Sequence, residues 1–327
     1  MFLNRNRVSR ALSALDPAHH SWAAIPLRDT HHPIAQSPSS SSSSRPGEAH
    51  GSRKQTLSLA SWNIQASQSK PEARCELILD RILEGPKSPD IIFLQEVASI
   101  TRKSLLDDPR IRSNFLTTDA EDDIMFKGVP FATMTLLSSK RFRSPLLAGE
   151  EEGEEEDEGG SKIVLDSVFR TGLPSRYKRD ALCVNIAAPA TPGTVLRLLN
   201  VHLDSLDSQF RRLLQMEVLA SLLRERGCSG GIIAGDFNAI LADDHTLVDK
   251  HELVDAWLTL HGSTGGRDGG ATWGVDVELK KGLKPGRLDK VVMLGLQPVE
   301  IEILQPGLID AYTRWSDHCG LRCTFTI

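Results

Sequence analysis

The chain has 327 residues, of which 40% are hydrophobic, 25% charged and 5% aromatic, and its formal net charge is −5. This is the composition of a soluble globular protein with material for one large domain and a tail, or for two modest domains. No apolar run approaches the roughly 18 residues of a membrane span, and five scattered cysteines without a C-x-x-C pair suggest neither a disulfide framework nor a zinc knuckle.

Residues 1–55 contain paired histidines, several prolines and the serine run at 37–44, without a sustained apolar period, and read as a disordered low-complexity arm. Arg5, Arg7 and Arg10 precede any acid, a pattern shared by mitochondrial presequences and by incidentally basic tails. The arm holds seven basic and three acidic residues, which leaves the body from residue 56 at −9. Eight of the acids fall in an insertion at 149–160 that reads as a solvated loop; without them the body is nearly neutral and lacks the excess that sequence-independent binding to long nucleic acid exploits.

From Thr56 onward, elements alternate. "LSLASWN" predicts a strand ending at Asn63, "PEARCELILDRILEG" an amphipathic helix, and "DIIFLQE" a strand ending at Glu96. A further strand run follows Arg179, and "VLRLLNVH" predicts a strand ending at His202. The next segment has Phe210, Leu213, Leu214, Val218, Leu219 and Leu222 at helical spacing, with Asp207 or Ser208 to cap it and Gly227 to end it. "GGIIAGDFN" predicts a buried strand ending in Asp236 and Asn238; "RLDKVVML" and the residues after Asp317-His318 complete the strands. Such interleaving implies two packed sheets covered by helices.

Four strand runs thus end in Asn63, Glu96, His202 and the Asp236/Asn238 pair. One polar residue after a strand is ordinarily a cap, and Asp236 alone would read as the start of an Asx-turn. Their repetition points instead to one rim carrying carboxylates, carboxamides and imidazoles. That donor set suits a hard divalent ion, Mg²⁺ or Mn²⁺, better than zinc. It fits phosphoester hydrolysis, with Asp236 as acceptor, Glu96 as metal ligand, and Asn63, Asn238, His202 and His318 as donors. Asp236 and Asn238, two apart, would share one side of an extended chain.

In order, "SWNIQAS", "IIFLQEV", "NVHLDS", "GDFN", "RLDKV" and "SDH" resemble the endonuclease/exonuclease/phosphatase superfamily, and within it the tyrosyl-DNA phosphodiesterase 2-like branch. The resemblance covers about Thr56 to Ile327. It implies a four-layered α/β/β/α sandwich (DNase I-like) as the catalytic domain, 56–327. Glu96 would be the principal metal ligand with Asn63 beside it and Asp317 in support. Asp236 would align or activate water, and Asn238 would hold water or phosphate. His318, oriented by Asp289, would donate to the scissile phosphate, with His202 on its other side. Arg179 and Trp273 are further candidates for substrate contact, each with a bland reading as surface charge or core cover.

Two departures weaken the closer match: Gln65 stands where many relatives have an acid, and Ala239-Ile-Leu241 follows "GDFN" where the branch has Leu-Arg-Asp. The expectation is a monomeric intracellular enzyme, nuclear or cytoplasmic with a mitochondrial option, acting on phosphoesters and best on a 5′ DNA end. The alternatives are a phosphatase or phosphodiesterase for small molecules, RNA or inositol phosphates, and an inactive binding module on the same scaffold.

Overall fold

The runs at the ends of which the candidate residues sit are buried on both faces, which places them inside sheets covered on both sides. A computed structural model describes residues 7–28, 55–85, 87–144, 162–262 and 267–327. In chain order its strands are β1 (Arg7–Ser9), β2 (Leu12–Asp16), β3 (Ser21–Ala24), β4 (Thr56–Asn63), β5 (Ile91–Val97), β6 (Phe115–Thr118), β7 (Ala132–Ser138) and β8 (Phe142–Arg143). They continue as β9 (Ile163–Gly172), β10 (Asp180–Ala187), β11 (Val195–His202), β12 (Cys228–Asp236), β13 (Val254–Asp255), β14 (Asp289–Leu294), β15 (Gln297–Leu304) and β16 (Gly320–Thr326). The helices are α1 (Pro71–Leu83), α2 (Ser99–Asp107), α3 (Pro109–Asn114), α4 (Gln209–Leu223), α5 (Ala242–His245), α6 (Leu247–Lys250) and α7 (Ala256–His261).

One sheet runs β1-β9-β10-β11-β12-β14-β13, with β8 also on β9; the other runs β15-β16-β4-β5-β7-β6-β2-β3. Their facing sides share a core that includes Leu59, Phe93, Leu182, Leu198, Ile232, Val291 and Phe325. On the outer face of the first sheet, Met216, Leu219 and Leu223 of α4 and Val248 of α6 pack on Leu199, Val201 and Ile233. On the outer face of the second, Ile78 and Leu79 of α1, Leu105 of α2 and Ile111 of α3 pack on Trp62, Ile92, Leu94 and Met134. The result is the expected α/β/β/α sandwich.

Two expectations need correction. In α4, Phe210 is 72% and Leu213 39% exposed, although both follow the apolar spacing. The buried face instead includes Arg212 and Gln215. Arg212 pairs with Asp244 through Nη2 at 2.8 Å and Nε at 2.9 Å, so satisfied polar anchors take the inward positions in the first turns while Val218, Leu219 and Leu222 stay in the core. Ser208 occupies the N-cap, as expected, without a side-chain capping bond.

The arm read as disordered over 1–55 is ordered over residues 7–28. β1 pairs with β9 in one sheet and β2 with β6 in the other, and Leu12 joins the inter-sheet core. Arg7 pairs with Glu225 and lies over the Phe169 ring at 4.6 Å. These strands are three to five residues long, too short to show a period, and they take their stability from the sheet edges they join. The serine run at 37–44 and the acidic insertion at 149–160 lie outside the described residues.

Candidate active site

Strand register assembles the site. β11 and β12 are parallel, with His202 opposite Asp236, and β12 and β14 are antiparallel, with Asp236 opposite Asp289. His202, Asp236 and Asp289 therefore form one row across three neighbouring strands. In the other sheet β4 and β5 are parallel, with Asn63 opposite Gln95 and Glu96 next in sequence. Asn63 Nδ2 donates to Asp236 Oδ2 at 3.0 Å and reaches Glu96 Oε1 at 3.4 Å, which joins the rims of the two sheets.

That closeness has a sequence cause at Gly235, whose φ is +138°. A Cβ there would sit 2.0 Å from Val201 O and 3.2 Å from Gln95 Nε2, so only glycine fits. Behind it, Gln95 Nε2 donates to Asn200 Oδ1 at 2.9 Å, and Asn200 Nδ2 donates to Met134 O at 2.9 Å. This fully buried carboxamide bridge ties the sheets together just beneath the rim. Sequence reasoning missed both residues; their only signal was a carboxamide inside an apolar strand.

Asp236 and Asn238 do not lie on one side of an extended chain. β12 ends at Asp236, and Asn238 has φ +47°. Asn238 N donates to Asp236 Oδ1 at 2.8 Å, an Asx-turn, while Asn238 Nδ2 donates to Leu203 O at 3.0 Å. The turn thus coexists with the candidate site: it fixes one Asp236 oxygen and leaves the other facing Asn63 and the imidazoles.

His318 sits between two carboxylates. Its Nδ1 is 2.8 Å from Asp289 Oδ2, and its Nε2 is 3.8 Å from Asp236 Oδ2. Burial works against its charge, but Asp289 and Asp236 outweigh it and push the imidazole pKa up to about 10. Burial, with a further contribution from Asp289, raises Asp236 to about 7 despite the lowering effect of His318. His202 moves the other way: burial and then the charges of Arg179 and His318 hold it well below the usual range. Its Nε2 faces Arg179 Nη2 at 3.3 Å and Asp236 Oδ2 at 3.4 Å. The same nitrogen thus meets a donor and an acceptor, while the buried Nδ1 has no partner.

Asp236, Asp289 and His318 offer ligand atoms within 4.8 Å of one another. Glu96 and Asn63 have the chemistry for a hard ion. Glu96 adopts φ +56° at a register break in β5, a costly conformation for a side-chain-bearing residue that turns its carboxylate onto the rim. Its Oε2 accepts from Ala66 N at 2.9 Å; a carboxylate with one bond to each oxygen retains acceptor capacity for a cation.

The other candidates fall around this centre. Asp317 Oδ2 accepts from Trp273 Nε1 at 3.1 Å, so Trp273 directs its indole N–H at that carboxylate. Gln65, the first departure, has its Oε1 bonded to Asp317 N at 3.1 Å; it serves as a tether for the Asp317-His318 segment. Ser316 Oγ donates to Asn63 O at 2.6 Å and Trp62 Nε1 to His318 O at 3.0 Å, which fastens that segment to β4. Arg74, 1% exposed, donates to five backbone carbonyls at Ile64, Gln65, Ser69, Gln68 and Trp315 and clamps the loop after Asn63. An arginine on the apolar face of α1 was the overlooked signal. Arg179 reaches the site beside His202, and Phe131, unforeseen from sequence, stacks on the His202 ring at 5.6 Å.

No protein-family profile matches the chain, and no curated protein matches it. Among solved structures it is similar to D. rerio TDP2 complexed with single strand DNA product, at 21% identity and TM-score 0.61, over 83% of this chain and 99% of the other. It is also similar to truncated Caenorhabditis elegans TDP2, at 19% identity and TM-score 0.58, over 83% and 98% of the two chains. A Bacteroides thetaiotaomicron endonuclease/exonuclease/phosphatase family protein aligns at 16% identity and TM-score 0.55, over 84% and 99%. These likenesses show the fold: the chain shares its α/β/β/α sandwich with the TDP2 structures and with an endonuclease/exonuclease/phosphatase family protein.

Proposed function

We propose that the chain is a metal-dependent phosphodiesterase that hydrolyses phosphoesters, with a 5′ DNA end as its preferred substrate. The observation that carries the reading is the convergence, on one rim, of the His318 imidazole held by Asp289, the Asp236 carboxylate and the Glu96–Asn63 pair. Glu96 and Asn63 would hold Mg²⁺ or Mn²⁺, with Asp317 in support; when bound, the ion offsets charge on the phosphate oxygens. His318 donates a proton-bearing Nε2 to a non-bridging oxygen, and Asp289 keeps the ring oriented. Asp236, with a pKa of about 7, is poised to accept a proton from water near neutral pH. Arg179 and neutral His202 flank the phosphate on the other side.

The DNA-end preference draws on the fold shared with TDP2, one structure of which holds a single-stranded DNA product. A second reading, a phosphoesterase for smaller substrates, is favoured by Ile240 and Leu241, 48% and 44% exposed, where the sequence departs from Leu-Arg-Asp. A panel of bis(p-nitrophenyl) phosphate, a 5′-tyrosyl oligonucleotide, an abasic duplex and an inositol phosphate, each with Mg²⁺ or EDTA, separates them. Fastest turnover of the oligonucleotide supports the first reading; turnover confined to the small esters replaces it with the second; none with either ion refutes both.

A further inference from the structure

The β9–β10 hairpin is closed by residues 173–179, and this loop carries three basic side chains, Arg176, Lys178 and Arg179, to the rim beside His202. A short loop with clustered positive charge has no intrinsic reason to hold one shape. Besides its own bonds, including Leu173 N to Arg179 O at 3.0 Å, this one is anchored by two buried residues outside it. Asp204, two positions after His202, accepts from the Ser175 hydroxyl and from Arg176 N, the latter at 2.7 Å. Ser175 Oγ in turn accepts from Tyr177 N at 2.9 Å and Arg179 N at 3.0 Å. Gln215 of α4 completes the anchor: its Nε2 donates to Asp204 Oδ1 at 2.9 Å and Pro174 O at 3.3 Å, and its Oε1 accepts from Asp204 N at 3.0 Å.

Asp204 and Gln215 have no exposed surface. A buried carboxylate is costly unless its oxygens are satisfied, and here those bonds serve this loop and the helix side chain behind it. What the loop delivers is Arg179. Its guanidinium lies over the rings of Phe131 at 5.0 Å and Tyr177 at 5.7 Å, its Nη2 faces His202, and its buried Nε has no partner. A guanidinium fixed between two rings beside a neutral imidazole, with donor capacity to spare, is arranged for an incoming anion.

We propose that Asp204, acting through Ser175, is the positioning residue that sets Arg179 against a phosphate at the rim; this rests on the reading of that rim as a phosphoester site. Ser175→Ala would strip the shared acceptor from the Tyr177 and Arg179 amides. Asp204→Asn would turn an N–H₂ toward donors that now point at a carboxylate. Neither change touches the Arg179 side chain.

The test is a double-mutant cycle read by calorimetric titration with inorganic phosphate in the presence of Mg²⁺, with melting curves to confirm folding. The expected result is that Ser175→Ala weakens phosphate binding about tenfold in the wild-type background and less than about twofold in the Arg179→Gln background, the non-additivity of coupled residues. Asp204→Asn shows the same pattern if it folds, and Ser175→Ala decides the matter if it does not. Equal weakening in both backgrounds, or none, overturns the proposal, because a merely structural anchor does not depend on the residue at 179. A wild type that binds no phosphate overturns it as well. Coupled phosphate binding by a protein that hydrolyses nothing refutes only the hydrolase reading.

Discussion

His318 Nδ1 lies 2.8 Å from Asp289 Oδ2, and both groups are buried. This pair links the site to stability. The folded imidazole is raised to about 10 from its ordinary value of 6.5, so its stabilising contribution is fully present below the unfolded value and is lost as pH rises through the folded one. Urea unfolding across that window is expected to show stability falling by up to about 1.4 kcal/mol per pH unit. His318→Gln should flatten that dependence while lowering stability at the acid end.

Glu96 couples conformation to metal binding. Its left-handed backbone, φ +56°, costs on the order of 1 kcal/mol for a residue with a Cβ and little for glycine. Glu96→Gly is expected to remove the Mg²⁺-dependent rise in melting temperature while leaving the metal-free protein as stable as the wild type or about 1 kcal/mol more so. Melting curves with Mg²⁺ and with EDTA test both halves.

The Arg212–Asp244 pair lies wholly inside the protein, with side chains 0% and 1% exposed. Removing one partner strands the other charge, so Arg212→Met is expected to cost about 3–5 kcal/mol. The double variant Arg212→Met/Asp244→Leu should recover much of that loss, as read from urea midpoints.

These residues also mark the limit of what the sequence made legible. Strand ends at Asn63, Glu96, His202 and Asp236 could be read because apolar runs fix where a buried strand stops, and parallel pairing then brings those ends to one rim. Asn63, Glu96, Asp236, Asp289 and His318 meet there. What escaped was held by bonds between segments far apart in sequence: Gln95 to Asn200, Arg74 to Trp315 O, Asp204 to Ser175. A buried polar residue in an apolar element looks like an error in the pattern until its partner, many residues away, is known. β1 to β3 escaped for a related reason, since strands this short are defined by the sheet edge they complete.

The N-terminal strands give a further prediction. β1 and β2 join different sheets, and the Arg7–Glu225 contact reinforces the first. Deletion of residues 1–28 uncovers two strand edges and the core around Leu12. It is expected to lower stability by several kcal/mol, on the order of two buried apolar side chains and their ladder bonds. Circular dichroism melts of the full chain and the deletion check this, and equal melting temperatures would contradict it.

The central claim is that Asp236 and the residues converging on it hydrolyse a phosphoester. Its most direct test is the turnover of a 5′-tyrosyl oligonucleotide and of bis(p-nitrophenyl) phosphate by wild type and Asp236→Asn, with Mg²⁺ and with EDTA. The account predicts Mg²⁺-dependent hydrolysis that falls about 10²–10⁴-fold in the variant, with both proteins folded. Wild-type hydrolysis of either ester that Asp236→Asn leaves unchanged, or a folded wild type inert toward both with Mg²⁺ and Mn²⁺, would contradict it.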